Sequence, residues 1–291
     1  MTDVSSTGRG AASTSRMLTS PLRALAGLLV VAIMAAVAVP ANAAPSRTRL
    51  EGVFDVGGHG LYLRCTGHGH PIVVMDAALG TDSGTWAEVE PAVARYTRVC
   101  VYDRPGVGRS EAGSGVTTCA RMVAELRTLL HVAGEEGPYV LVGHSLGGLN
   151  AQLFAREDGG ESVAGVVFVD ATPAQFIAVL DGLGVPVPTP AELPEPVDLR
   201  ASVAEVLAAP AFPPVPLLVL THGLPTLPPP LESAWQELQA YHAQLSPLAA
   251  LVVADESHHY IQLDQPDLVI RGVVGIVKDT NVRAGRGIGA R

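Results

Sequence analysis

From residue 50 onward the chain alternates short apolar runs with longer stretches that carry apolar residues at every third or fourth position. Pro71 to Asp76 reads Pro-Ile-Val-Val-Met-Asp, and such a continuous run is expected of a strand buried on both faces. Thr97 to Tyr102, Tyr139 to Val142, Val163 to Val169, Pro216 to Leu220 and Leu248 to Val253 are further strand-length runs. Ahead of them, Leu50 to Val56 and Leu61 to Cys65 are joined through Gly57-Gly58-His59-Gly60, a hairpin signal. Helical spacing recurs between the runs, clearest from Thr117 to Ala133, where Met122, Val123, Leu126, Leu129 and Leu130 fall on one face and Gly134 offers a stop. Thr85 to Arg95, the residues after Ser145 to about Glu157, Leu231 to Leu245 and Gln265 to Val277 are the other predicted helices. A hairpin followed by strands alternating with helices predicts an α/β fold with a doubly wound, mostly parallel eight-stranded sheet.

The rhythm breaks between Thr172 and Pro214, where Pro173, Pro186, Pro188, Pro190, Pro194, Pro196, Pro210, Pro213 and Pro214 crowd the chain. Phe176 to Leu180 and Val203 to Leu207 are short apolar segments within it, so residues 172–214 are expected to form a short, partly helical, Pro-rich cap. The core domain is expected over residues 44–278, with 279–291 an aperiodic, flexible tail.

The first residues read as an address. Arg9, Arg16 and Arg23 precede an apolar run to Val39, followed by Pro40 and the small-residue signature Ala41-Asn42-Ala43. The uninterrupted part, Ala24 to Val39, falls short of the roughly 20 residues a spanning helix wants. Residues 1–43 are therefore expected to be a signal peptide cleaved before Ala44, leaving a secreted protein without a stable membrane span. Of the three cysteines, Cys119 sits in a helical pattern as a small buried residue. An odd count leaves at least one thiol unpaired within the chain. Hydrophobic residues make up 48 % and charged ones 16 %, which supports a large packed core. The net charge of −9 is dispersed and basic residues form no stripe, which argues against nucleic acid as a partner.

Catalytic groups of such sheets sit beyond the carboxyl ends of the strands. That rule singles out Asp76 to Gly80, Asp103 to Ser110, Ser145, Asp170, Thr221 to Gly223 and the loop after Val253. One of these places is chemically specific. Gly143-His144-Ser145-Leu146-Gly147 is a G-x-S-x-G directly after a strand and before a helix. A serine on so sharp a turn stands clear of the sheet, provided small residues flank it, and the next N–H points to the same spot. Its hydroxyl is a weak nucleophile and needs a base. Among nine histidines, His258 and His259 follow the last strand, and His259 is taken as the base, with His258 as a surface neighbour. There is no zinc-type ligand spacing and no G-x-x-x-x-G-K-[ST], so neither metal nor nucleotide cofactor is implied.

These features resemble the α/β-hydrolase superfamily, specifically its small-cap serine esterase-like members, over roughly Leu50 to Val277. The carriers are Asp76-Ala77-Ala78-Leu79-Gly80, Tyr102 to Ser110 (Tyr-Asp-Arg-Pro-Gly-Val-Gly-Arg-Ser), Gly143 to Gly148, and His259 through Pro266. The resemblance implies an oxyanion hole built from the backbone N–H groups of Leu146 and Leu79, and makes Asp103 to Ser110 a structural loop. It also implies that the second strand lies beside the fourth, which leaves Cys65 and Cys100 as either a disulfide or two neighbouring thiols. In most relatives the acid follows the seventh strand, but Thr221 to Pro230 holds no carboxylate here. Asp170, at the end of the sixth strand, is the expected acid, with Glu232 next and Asp255 or Glu256 behind. The implied activity is hydrolysis of small apolar carboxylic esters through an acyl-enzyme on Ser145, His259 and Asp170. A serine at the elbow argues against dehalogenases and epoxide hydrolases, which use a carboxylate there. Amide, peptide or lactone cleavage, acyl transfer, and a non-enzymatic binding role are the rivals.

Overall fold

The computed structural model describes residues 49–288, with side chains to residue 285; the expected signal peptide lies outside the described residues. Eight strands form one sheet: β1 (Arg49–Asp55), β2 (Gly60–Thr66), β3 (Ile72–Asp76), β4 (Val99–Tyr102), β5 (Tyr139–His144), β6 (Val163–Val169), β7 (Leu217–His222) and β8 (Ala249–Ala254). Their order is β1-β2-β4-β3-β5-β6-β7-β8, with β1 and β2 antiparallel to their neighbours and every pair from β4 to β8 parallel.

Alternation along each strand sorts the core into two layers. Val74, Leu141 and Phe168 face one side with α2 (Cys119–Val132) and α3 (Leu146–Asp158). Val73, Val142 and Val167 face the other, where Trp86 and Val269, Val273 and Val277 of α8 (Pro266–Ile288) cover them. Strands clad on both faces need no polar side, which explains their unbroken apolar runs. Strand β8 is the exception: Leu251, Val252 and Val253 are exposed on its open edge.

The structure redraws two expected elements. The single helix expected over Thr85 to Arg95 is a 3₁₀ turn (Ser83–Trp86) followed by the short helix α1 (Glu90–Val93). Pro91 lacks an N–H and suits the first turn of a new helix, not the interior of a long one. The tail is also corrected. Helix α8 does not stop near Val277 but continues to Ile288, carrying an Arg283–Asp279 pair at 2.8 Å across one turn. Its last buried apolar residue is Val277, so apolar periodicity alone ends too early. Residues 289–291 lie outside the described residues.

Cys65 and Cys100 are cross-strand partners on β2 and β4 and form a disulfide, while Cys119 is a buried free thiol. Between β6 and β7 the chain forms α4 (Phe176–Gly182), a 3₁₀ turn (Pro190–Glu192) and α5 (Leu199–Ala208). The α5 side is tied to the body: Asp198 N donates to the Thr117 carbonyl and Thr117 N to that of Pro196, each at 2.9 Å, and Ser202 Oγ accepts from Cys119 N at 3.0 Å. Helix α4 has no fully buried residue. Among the described residues no helix is long and apolar enough to cross a membrane.

Candidate active site

Ser145 joins β5 to α3 with φ 52° and ψ −116°, a conformation few residues adopt and one that persists only where the surroundings enforce it. The enforcement is visible in the flanking glycines. A Cβ on Gly143 would lie 2.3 Å from the Gly147 carbonyl oxygen, and one on Gly147 would lie 2.4 Å from that of Asp76. Both are contacts that only glycine avoids. The Ser145 carbonyl accepts from Gly148 N and Thr172 N, each at 3.0 Å, and Ser145 Oγ lies 3.4 Å from Thr172 Oγ1.

Asp170 ends β6 with φ 44°, a left-handed geometry that Asp tolerates better than most residues. Its side chain is fully buried and crowded with donors. Oδ2 meets the Nδ1 atoms of both His259 and His222 at 2.6 Å. Oδ1 accepts from Trp235 Nε1 at 3.0 Å and from His222 N and Thr221 Oγ1 at 3.3 Å. Burial opposes the charge, but the two histidine bonds outweigh it and hold the carboxyl well below the usual carboxylate range.

The structure thus brings His259 to Asp170 and Glu232 to His222, whose Nε2 lies 2.8 Å from Glu232 Oε1. His258 turns away: its side chain is 60 % exposed and lies 3.7 Å from Asp264. Asp255 and Glu256 remain at the exposed end of β8. Ser145 and His259 meet as walls of one cavity, and no hydrogen bond joins them among the described residues. Catalytic bonds of this kind often shorten only in the reacting complex.

Two supporting groups escaped the sequence reading. His144 is buried and donates through Nε2 to the His259 carbonyl at 2.9 Å, while Gln262 Nε2 donates to its Nδ1 at 3.0 Å. Burial, with His259 adjacent, pushes this imidazole down to about 3, so it anchors the His259 loop as a neutral ring. The second is Arg104, whose guanidinium reaches Asp76 Oδ1 at 2.5 Å, the Ala77 carbonyl at 2.7 Å and Glu195 at 2.7 and 2.9 Å, and also bonds the Ala78 carbonyl. The N–H groups of Leu79 and Leu146 have no protein acceptor among the described residues. His222, at the carboxyl end of β7, stands out in the sequence by strand-end position alone; nothing local in the sequence pairs it with Asp170.

Between the body and the cap lies a cavity of about 430 Å³, walled chiefly by Leu146, Phe176, Ile177, Leu180, Val203 and Trp235. Its polar lining is Ser145, Thr172, Thr226 and His259, and among the described residues no carboxylate or lysine or arginine side chain faces it. Asp170, His222 and His259 each direct one potential ligand atom into a space within 4.8 Å. Those atoms are already paired with one another as hydrogen bonds. Cys65, Cys100 and Glu135 also cluster, but the two sulfurs are consumed by the disulfide.

Residues 71–196 match the family model described as the alpha/beta hydrolase fold. The solved structure of a thermophilic esterase from Thermogutta terrifontis superposes with a TM-score of 0.58 at 21 % identity, covering 80 % of this chain and 98 % of that one. The fold is that of the α/β-hydrolases. Among curated relatives, YqjL of Bacillus subtilis, itself uncharacterized, is 28 % identical over 68 % of this chain and 79 % of its own length. A probable transporter of Hormonema carpetanum, efuK, is 32 % identical over 41 % of this chain. The chain spans less than a fifth of the length of the first curated relatives it matches, 18 % and 17 %.

Proposed function

We propose that this protein is a serine esterase that hydrolyses small, uncharged esters with an apolar acyl or alcohol part. The observation that carries the reading is a strained serine and a carboxylate-bound imidazole opening into one apolar cavity. Ser145 Oγ attacks the ester carbonyl carbon while His259 Nε2 takes its proton, with Asp170 holding Nδ1–H and so fixing the tautomer. The carbonyl oxygen, now an anion, receives the backbone N–H groups of Leu146 and Leu79. Collapse breaks the ester C–O bond, and His259 returns the proton to the departing alcohol. Water, deprotonated by the same imidazole, then frees the acid from Ser145. An apolar cavity of this volume suits a small acyl chain, and the absence of charged lining side chains disfavours a charged substrate.

The test is turnover of p-nitrophenyl esters of increasing chain length by the full chain and by Ser145→Ala. Turnover that is measurable for short and medium chains and lost in the variant is expected. Equal turnover by Ser145→Ala, or cleavage confined to amides, would refute the reading.

A further inference from the structure

A Ser–His–Asp site needs one histidine, yet the buried carboxylate here holds two. His222 is 1 % exposed and lies between two acids, its Nδ1 2.6 Å from Asp170 Oδ2 and its Nε2 2.8 Å from Glu232 Oε1. A neutral imidazole carries a single N–H, and a carboxylate can only accept. One further proton must therefore be present, in one of three places: on the second ring nitrogen, on Asp170, or on Glu232. Asp170 does not hold it, because His259 Nδ1, Trp235 Nε1 and the His222 amide already donate to its two oxygens. Glu232 is similarly committed. Its Oε2 accepts from Thr226 N at 3.0 Å and Leu227 N at 3.2 Å, and its Oε1 from Gln236 Nε2 at 3.0 Å. The remaining place is the ring, so both contacts are satisfied together only by an imidazolium.

We propose that His222, held as a cation by Glu232, is a positioning residue that keeps the His259 base unprotonated to lower pH than Asp170 alone would. This rests on His259 acting as the base in the reading above. The Nδ1 atoms of His222 and His259 share one Asp170 oxygen at 2.6 Å each, and a ring nitrogen of one lies within 4.8 Å of a ring nitrogen of the other, so a second positive charge on His259 is disfavoured. The fixed cation takes up part of the charge with which Asp170 would otherwise raise the basicity of His259. Burial works against a charged His222, but Asp170 and Glu232 outweigh it and raise the ring above its ordinary value.

The groups facing this pair come from every neighbouring element. Asp170 stands at the end of β6, and Thr221 ends β7 beside His222. Glu232, Trp235 and Gln236 come from α6 (Pro229–His242), with the Trp235 ring 5.8 Å from that of His259. His144 of β5 has its ring centre 4.7 Å from that of His259 and, held neutral by burial, adds no charge. Tyr260 lies 5.5 Å from His259, and Asp264 of α7 (Ile261–Asp264) turns instead to Ser257 and His258. Glu232 and His222 are thus the charges left to tune the base beyond Asp170.

A unit charge about 5 Å away at an effective dielectric near 20 corresponds to a shift of roughly two pH units. Glu232, on the far side of the ring, offsets part of it in the native protein. Glu232→Gln lets the amide donate to Nε2, so His222 becomes neutral and the His259 midpoint rises by about one unit. His222→Gln removes the cation and leaves the Glu232 anion, so the rise is larger, toward two units.

Two readouts on the full chain test this. Ring nitrogen and carbon NMR of histidine-labelled protein follows each imidazole directly, and kcat/KM against pH reports the base of the free enzyme through its acid limb. Expected are a doubly protonated His222 at pH 7 in the native protein and a parallel upward move of the His259 midpoint and the acid limb in both variants. A singly protonated His222 at pH 7 would overturn the proposal. So would variants that lose kcat at every pH while the His259 midpoint stays put, the mark of a purely structural role. Glu232 lies at the rim with 16 % of its side chain exposed, so its variant carries the test if His222→Gln folds poorly. If the folded chain cleaves no ester, the esterase reading fails, and the NMR titration still decides the role of His222.

Discussion

Asp170→Asn is the sharpest perturbation the site allows, because it keeps the shape of the side chain while removing its charge and its acceptor symmetry. Asp170 presents one oxygen to His222 and His259 and the other to Trp235, Thr221 and the His222 amide. An asparagine has one acceptor and one donor group. With its oxygen on the histidine side, the NH₂ group confronts Trp235 Nε1 and the His222 N–H across about 3 Å, in a place with no exposure. Each buried donor so stranded costs about 1–3 kcal/mol. With its NH₂ on the histidine side, both imidazoles must present a bare Nδ1. The proton of His259 then sits on Nε2, where it cannot accept the Ser145 proton. Either orientation harms the site, and the second stops the chemistry. Loss of the working tautomer is worth up to ~10⁴ in kcat in such triads, about 5.5 kcal/mol of barrier. Initial rates on a p-nitrophenyl ester, with urea unfolding and circular dichroism confirming the fold, measure this. A folded Asp170→Asn protein with near-native kcat would show that the acid lies elsewhere and that His259 needs no partner in the sheet.

Two further outcomes follow from buried charge. Arg104→Met leaves Asp76 and Glu195 buried without their cation and frees the Ala77 and Ala78 carbonyls, so stability should fall by about 3–5 kcal/mol and kcat/KM should drop with it. Arg200→Ala, at the exposed pair with Asp181, should leave the urea midpoint unchanged, and equal midpoints for both variants would refute the contrast. Burial pushes His144 and His242 down to about 3, with His259 beside the first and Arg156 beside the second. Between that value and an ordinary 6.5 the unfolded chain binds protons that the folded one refuses. Stability is therefore lost as pH falls through this window, by up to about 1.4 kcal/mol per pH unit for each histidine. His242→Leu should make the urea midpoint fall less steeply below pH 6.5, and parallel slopes would refute the assignment.

Much of the molecule is written locally and could be read without the fold. The apolar runs announce strands because each is clothed on both faces, and the elbow is legible because Gly143, Ser145 and Gly147 act within five residues of one another. The placement of His259 after the last strand and Asp170 after the sixth is likewise a matter of chain order. What no stretch of sequence contains is the identity of partners brought together from distant elements. In the sequence Asp170 and Glu232 are rivals for a single imidazole, whereas the folded chain gives each carboxylate a histidine and joins the four side chains in one line. Arg104 read as part of a structural loop; only its burial against Asp76 and Glu195 ties that loop to the amides expected to meet the oxyanion. Helix α8 outlasts its own apolar stripe because backbone bonds and an exposed ion pair extend a helix beyond the residues that bury it. Local patterns record which face of an element meets the core. Which side chains then share a proton depends on angstrom-scale separations between strands, and these exist only once the sheet has closed its order.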